Sequence, residues 1–186
     1  MATHLTLICH AATAAMRAGA FAKDGDPVED FGRAQAAAMD PLRAALAWTS
    51  PALAARQTAA ALGLDAVAAP GLRAGDHGRW AGRRLEDLQV EDPQALAAWL
   101  SDPSAAPPGG ETIVELIARV GAWLDDQIGH DAHLVAVTHP EVIRAAVAYS
   151  IDAPPRSCLR IDVAPLSRAV LSFNGHWRLQ ALGPFR

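Results

Sequence analysis

The sequence predicts an α/β fold, a three-layer α/β/α sandwich with a mainly parallel central sheet, on three observations. Short apolar runs suited to buried strands alternate with segments of helical spacing. The two clearest runs, 4–8 and 134–138, each stop at a histidine, His10 (after Cys9) and His139. The chain has 186 residues, 51% of them apolar, which suits a single domain spanning 1–186 with a sizeable core.

The elements follow in order. After the first strand, residues 11–28 form a long connection with Gly19, Gly25 and Pro27, and a loop of that length is usually functional or partly structured. Residues 29–47 carry helical spacing through Phe31, Gln35, Met39, Leu42 and Leu46, with a break or restart at Pro41. Trp48-Thr49 reads as a strand end, and Ser50-Pro51 as the N-cap and first residue of a helix to about Leu62. A short strand is expected at 66–69, then an irregular stretch from Leu72 to Leu88, and an Ala-rich helix at 93–101. The segment 101–111 is a loop, followed by an amphipathic helix at 111–128. A helix from Glu141 to about Ser150 follows the strand at 134–138. The tail at 159–163, 168–174 and 177–181 supplies two or three strands, with Asn174-Gly175 as a hairpin turn.

Composition excludes several classes. Net charge is −4 with Lys and Arg scattered, so nucleic acid is not expected as a partner. No apolar stretch approaches the roughly 20 residues of a bilayer span, so no membrane partner is expected either. Met1–Ala22 loosely resembles a signal peptide but has no Lys or Arg ahead of its apolar run, so a cytoplasmic location is expected. Cys9 and Cys158 read as free thiols of a reducing compartment. The seven histidines show no His-x-His or His-x-x-x-His spacing and there is no Cys-x-x-Cys, so no metal is expected.

In a largely parallel sheet, ligands bind beyond the carboxyl ends of the strands. His10 and His139 both stand at such ends and could meet at one site although far apart in sequence.

Five motifs in order give the chain a family likeness. They are Cys9-His10-Ala11-Ala12-Thr13, Ser50-Pro51 running through Arg56-Gln57-Thr58-Ala59, Asp76-His77-Gly78-Arg79-Trp80-Ala81-Gly82, Pro108-Gly109-Gly110-Glu111-Thr112, and Val137-Thr138-His139-Pro140 followed by Val142-Ile143-Arg144. The chain resembles the histidine phosphatase (phosphoglycerate-mutase-like) superfamily over about residues 4–180. The resemblance implies a phosphoric-ester hydrolase needing neither metal nor other cofactor and acting on a small phosphorylated metabolite. His10 would be the nucleophile that forms a phosphohistidine. His139 would donate a hydrogen bond to the phosphoryl group in flight. The family also supplies two arginines and a carboxylic acid, and at those positions this chain has Cys9, Ala54 and Ala74. Ala11 and Pro140 stand where the family has glycine.

Those departures imply weakened activity, or an inactive relative that binds an anionic ligand or a protein partner. Thr13 could bind phosphate or cap its loop. Arg17 is a basic group that could swing back to an anion, and Asp76 or His77 could replace the acid. Cys9, adjacent to His10 on a strand, should face the opposite side and fill the core. Glu111 should support the start of the helix at 111–128, and Trp80 should pack.

Overall fold

A computed structural model describes residues 3–184. The chain forms β1 (Thr3–Cys9), α1 (Ala14–Arg17), α2 (Asp30–Ala37), β2 (Leu46–Thr49), α3 (Leu53–Ala61), β3 (Val67–Ala68), α4 (Leu85–Glu91) and α5 (Pro93–Ser101). It continues with α6 (Ile113–Asp125), β4 (His133–Thr138), α7 (Pro140–Ser150), β5 (Ser167–Phe173) and β6 (Trp177–Pro184). The strands make one sheet in the order β3-β2-β4-β1-β5-β6. The first four run parallel, and β5 and β6 are antiparallel additions beyond β1. The expected sandwich with a mainly parallel sheet is the fold observed.

Strand alternation builds the layers. Leu5, Leu7 and Cys9 of β1, with Leu134 and Ala136 of β4, pack against Leu116, Val120 and Leu124 of α6 and Val142, Ile143 and Ala146 of α7. The opposite faces of the same strands present Ile8, Val135 and Val137 to Ala55 and Ala59 of α3. Both faces of the central strands are sealed, which is why they read as near-continuous apolar runs. Cys9 is a buried core residue, as strand alternation predicts.

Several boundaries differ from the sequence expectation. The helix expected over 29–47 stops at Ala37, ahead of Pro41, and β2 begins at Leu46 because residues 46–49 pair in register with 134–137 of β4. Ser50 does not cap α3. That helix begins at Leu53 with Ala52 at its N-cap, although the Ser50 hydroxyl does accept the Ala52 N–H at 3.2 Å. The stretch expected to be irregular contains α4. Residues 159–163 form no strand, since a 3₁₀ turn occupies Pro155–Arg160 and Val163 packs into the core without pairing. The hairpin at Asn174-Gly175 is present, with Phe173 opposite Trp177. α6 is capped by Thr112 and Glu115 in a reciprocal capping box, rather than by Glu111.

The loops bordering the strand ends are stitched together. Asp76 O accepts the Glu111 N–H, and Asp76 Oδ1 accepts the Gly78 N–H at 2.8 Å. Gly78 has φ +49°, and a Cβ there would lie 1.9 Å from the Gly109 carbonyl oxygen. Gly78→Ala is therefore expected to cost more than about 3 kcal/mol of unfolding free energy by denaturant titration. A loss below about 1 kcal/mol would show that the 76–80 and 108–111 loops are not held in this apposition.

Candidate active site

Three adjacent parallel strands end together, and each delivers a polar residue. β1 ends in His10, β4 in His139 and β2 in Ser50, with Cys9 paired to Thr138 and Thr49 to Val137. The His10 N–H donates to the Thr138 carbonyl at 2.9 Å, and the Ser50 N–H to that of Val137 at 2.8 Å. The two imidazoles meet edge to face with ring centroids 5.1 Å apart, and both are buried.

Hydrogen bonding decides which nitrogens are free. His10 Nδ1 lies 2.8 Å from the Ala11 carbonyl oxygen, which can only accept, so Nδ1 carries the proton and Nε2 keeps its lone pair. The residue after His10 is itself pinned, because the Ala11 N–H donates to Thr58 Oγ1 at 2.9 Å. His139 Nε2 lies 2.8 Å from Ser50 Oγ, and His139 Nδ1 is buried without a protein partner. The Ser50 hydroxyl has one proton to give, and His139 Nε2 is the acceptor placed to take it among the described residues. That arrangement leaves Nδ1 of His139 as a free N–H donor.

Burial pushes the pKa of both rings down, His139 to about 4 and His10 in the same direction. Above pH 6.5 both are neutral. His10 thus has an available nucleophilic nitrogen and His139 an available donor.

A cavity of about 230 Å³ opens on these rings. Met16, Phe21, Trp99, Leu116 and Leu159 give it apolar walls, and His77, Glu141 and Arg144 add polar groups. Phe21 packs at a tilt of 53° against His77 with centroids 4.6 Å apart, and its centroid lies 5.5 Å from that of Trp99. Trp80 packs behind them in a cluster with Leu88 and Leu96, as its expected packing role requires.

The other residues singled out in the sequence lie elsewhere. Thr13 is buried and its hydroxyl caps α1 by accepting the Met16 N–H. Arg17 is turned to solvent with its side chain 66% exposed and is ion-paired to Glu29. Asp76 is exposed and spends its carboxylate on Gly78. Of the four residues expected to bind substrate, only His77 lines the cavity.

Two of the positions where the resemblance implied an arginine, Cys9 and Ala54, are packed in apolar clusters. Ala54 is buried with Ala11 and Val28, against Leu166, and Arg56 is exposed on α3. Burial pushes the Cys9 thiol far up, so it stays protonated beside His10.

Sequence reasoning missed Glu141 and Arg144, three residues apart on α7 and both at the cavity. The signal was present, because α7 starts at Pro140 and residues 141 and 144 share one helix face. Arg144 forms no ion pair among the described residues, and its Nε is buried without a hydrogen-bond partner. Among the described residues no group of three His, Cys, Asp or Glu side chains is placed to hold a metal. No helix there is long and apolar enough to cross a membrane.

Residues 5–183 match the histidine phosphatase superfamily, branch 1, and the chain belongs to that family. A bifunctional protein of Mycobacterium tuberculosis is 33% identical over 121 residues, covering 63% of this chain and 33% of that protein. The chain thus spans about a third of the length of the curated relatives it matches. The alpha-ribazole phosphatase from Shigella flexneri superimposes with a TM-score of 0.84 at 25% identity, covering 96% of this chain and 95% of that one. The mycobacterial glucosyl-3-phosphoglycerate phosphatase in complex with VO3 gives a TM-score of 0.84 at 24% identity, covering 97% and 98%.

The buried neutral histidines make stability depend on pH. His139 binds its proton more weakly folded than unfolded, so its contribution is complete above pH 6.5 and is lost as pH falls toward 4. The loss is of order 3 kcal/mol. Denaturant titrations from pH 7 to 4 should show a steep decline that is shallower in His139→Asn. An unchanged slope in that variant would contradict the depressed pKa.

Proposed function

We propose that the chain is a phosphomonoesterase that works through a phosphohistidine at His10. The observation that carries this reading is the hydrogen bond from His10 Nδ1 to Ala11, which leaves a neutral Nε2 lone pair beside the free donor of His139 in a cavity. In the first step Nε2 forms a bond to phosphorus, and the ester P–O bond breaks with its electron pair leaving on the alcohol oxygen. In the second, a water oxygen forms the new P–O bond, and the P–N pair returns to Nε2 as inorganic phosphate departs. His139 Nδ1 and the Arg144 guanidinium are the donors suited to the phosphoryl oxygens.

The walls narrow the ligand. Arg144 is a cation without an ion-pair partner among the described residues, whereas Glu111 is paired with Arg119 and Arg73. One unpaired positive charge, a carboxyl at Glu141 and apolar sides suit a small ester with a single phosphoryl group and an uncharged, largely apolar body. Esters carrying several anionic groups suit it poorly.

A second reading, an anion-binding relative without turnover, draws on the packing of Cys9 and Ala54 where the family pattern has arginines. The two readings separate in one assay. The purified protein should hydrolyse p-nitrophenyl phosphate and carry acid-labile phosphate after quenching. His10→Ala should abolish both, and Arg144→Met should lower kcat/KM about 10²-fold. A folded wild-type protein that binds phosphate but shows neither turnover nor phosphohistidine would establish the second reading.

A further inference from the structure

We infer that Glu141 is the catalytic residue that delivers a proton to the leaving alcohol and takes one back from the attacking water. This inference rests on the phosphohistidine reading given above. Expelling an alkoxide or phenolate from phosphorus is slow unless its oxygen is protonated as the bond breaks. The cavity therefore needs an acid, and its lining offers few.

Two carboxyls line the cavity, Glu111 and Glu141. Glu111 is held by two guanidiniums, with Arg119 at 2.7 Å and Arg73 at 3.3 Å, so both of its oxygens are engaged as a structural anchor. Glu141 has no ion-pair partner among the described residues. Its Oε1 accepts the Gly75 N–H at 3.3 Å and its carboxyl also meets its own backbone N–H, which holds it between α7 and the 74–78 loop. The α7 start places Glu141 two residues after His139, on the cavity side, and its charge acts on His10, His77 and His139 together.

The protonation state of Glu141 depends on those rings. Burial pushes the carboxyl up, while charge on His139, His77 and His10 and a backbone N–H pull it down, with a net downward result. Burial keeps all three rings neutral near pH 7, which removes most of the downward pull. A phosphoryl dianion entering between His10 and Glu141 raises the carboxyl further by repulsion, so substrate binding itself loads the acid. Arg144, on the same helix, opposes this and limits the shift.

The proton balance then closes. Glu141 gives its proton to the departing alkoxide oxygen as the His10 N–P bond forms, releasing the alcohol. The resulting carboxylate takes a proton from the water that attacks phosphorus, which restores the acid as phosphate leaves. His77 is the competing donor in the cavity, but its ring packs tilted against Phe21, with centroids 4.6 Å apart, and burial lowers its pKa.

The test compares phenyl phosphate, whose leaving group needs a proton, with p-nitrophenyl phosphate, whose leaving group departs unaided. In Glu141→Gln, turnover of phenyl phosphate should fall about 10²–10⁴-fold. Release of nitrophenolate should retain a fast burst of one equivalent per protein and then stall, with phosphohistidine accumulating. The double variant Ala74→Glu with Glu141→Gln returns a carboxyl next to the same Gly75 amide and should recover phenyl phosphate turnover. Equal losses on both substrates without a burst, or no loss on either, would overturn the role of Glu141 alone. Selective loss in His77→Gln instead would also overturn it. Wild-type protein without any phosphohistidine would overturn the underlying reading as well.

Discussion

The site depends on one pairing, the parallel ladder between β1 and β4. His10 and His139 are separated by most of the chain, yet the register that sets Cys9 opposite Thr138 brings their backbones side by side where the strands stop. The ladder continues one step past the strands, through the bond from the His10 N–H to the Thr138 carbonyl. Side-chain direction alternates along a strand, so a slip of one residue would turn Leu5, Leu7 and Cys9 away from α6 and α7 and expose the wrong set of side chains. Burial on both faces thus fixes the register, and the register fixes the distance between the rings. β2 extends the same logic, since its last pair places Ser50 beside His139 and sets the direction of that imidazole.

Desolvation then sets the chemistry. Imidazoles in solution are partly charged near neutrality, and a charged ring would make a poor nucleophile. Burial at the sheet's end holds His10 and His139 neutral, while hydrogen bonds to Ala11 and Ser50 choose their tautomers. The same burial silences Cys9, whose thiol shares the strand end but faces the α6/α7 core. Two reactive residue types sit next to each other, and of the two His10 lines the cavity. Arg144 and Glu141 lie one helical turn apart on α7, so the cavity has a cation and a carboxyl on one rigid element.

The layers, the sheet and both histidines were legible in the sequence because they rest on strong local signals. Apolar runs such as 134–138 permit little except a sealed strand, and the histidines end them. What escaped was set by tertiary contact. Ser50-Pro51 has the composition of a helix start, but the serine hydroxyl is drawn to an imidazole 89 residues away. Residues 161–163 have strand composition, yet both sides of β1 are taken by β4 and β5, and Val163 packs into the core instead of pairing. Arg17, Thr13 and Asp76 are polar residues near motif positions, and each found a local partner in Glu29, the Met16 amide or the Gly78 amide. Glu141 and Arg144 carry no motif of their own, and only the placement of α7 after His139 turns that face of the helix to the cavity.

The packing at positions 9 and 54 also constrains the strand ends and helices around it. Cys9 fills a sealed space between the sheet and α7, and Ala54 closes a small cluster with Ala11 and Val28. A guanidinium at 9 would have to be buried in that core, within the field of Arg144, which already acts on the Cys9 thiol. A guanidinium at 54 would have to displace Val28 or Ala11, and Ala11 is the residue whose carbonyl orients His10. Neither position can regain an arginine without disturbing a group the cavity depends on. The cation and the carboxyl of α7 belong with this packing, and the altered strand ends, the small residues on α3 and the charged face of α7 form one connected arrangement.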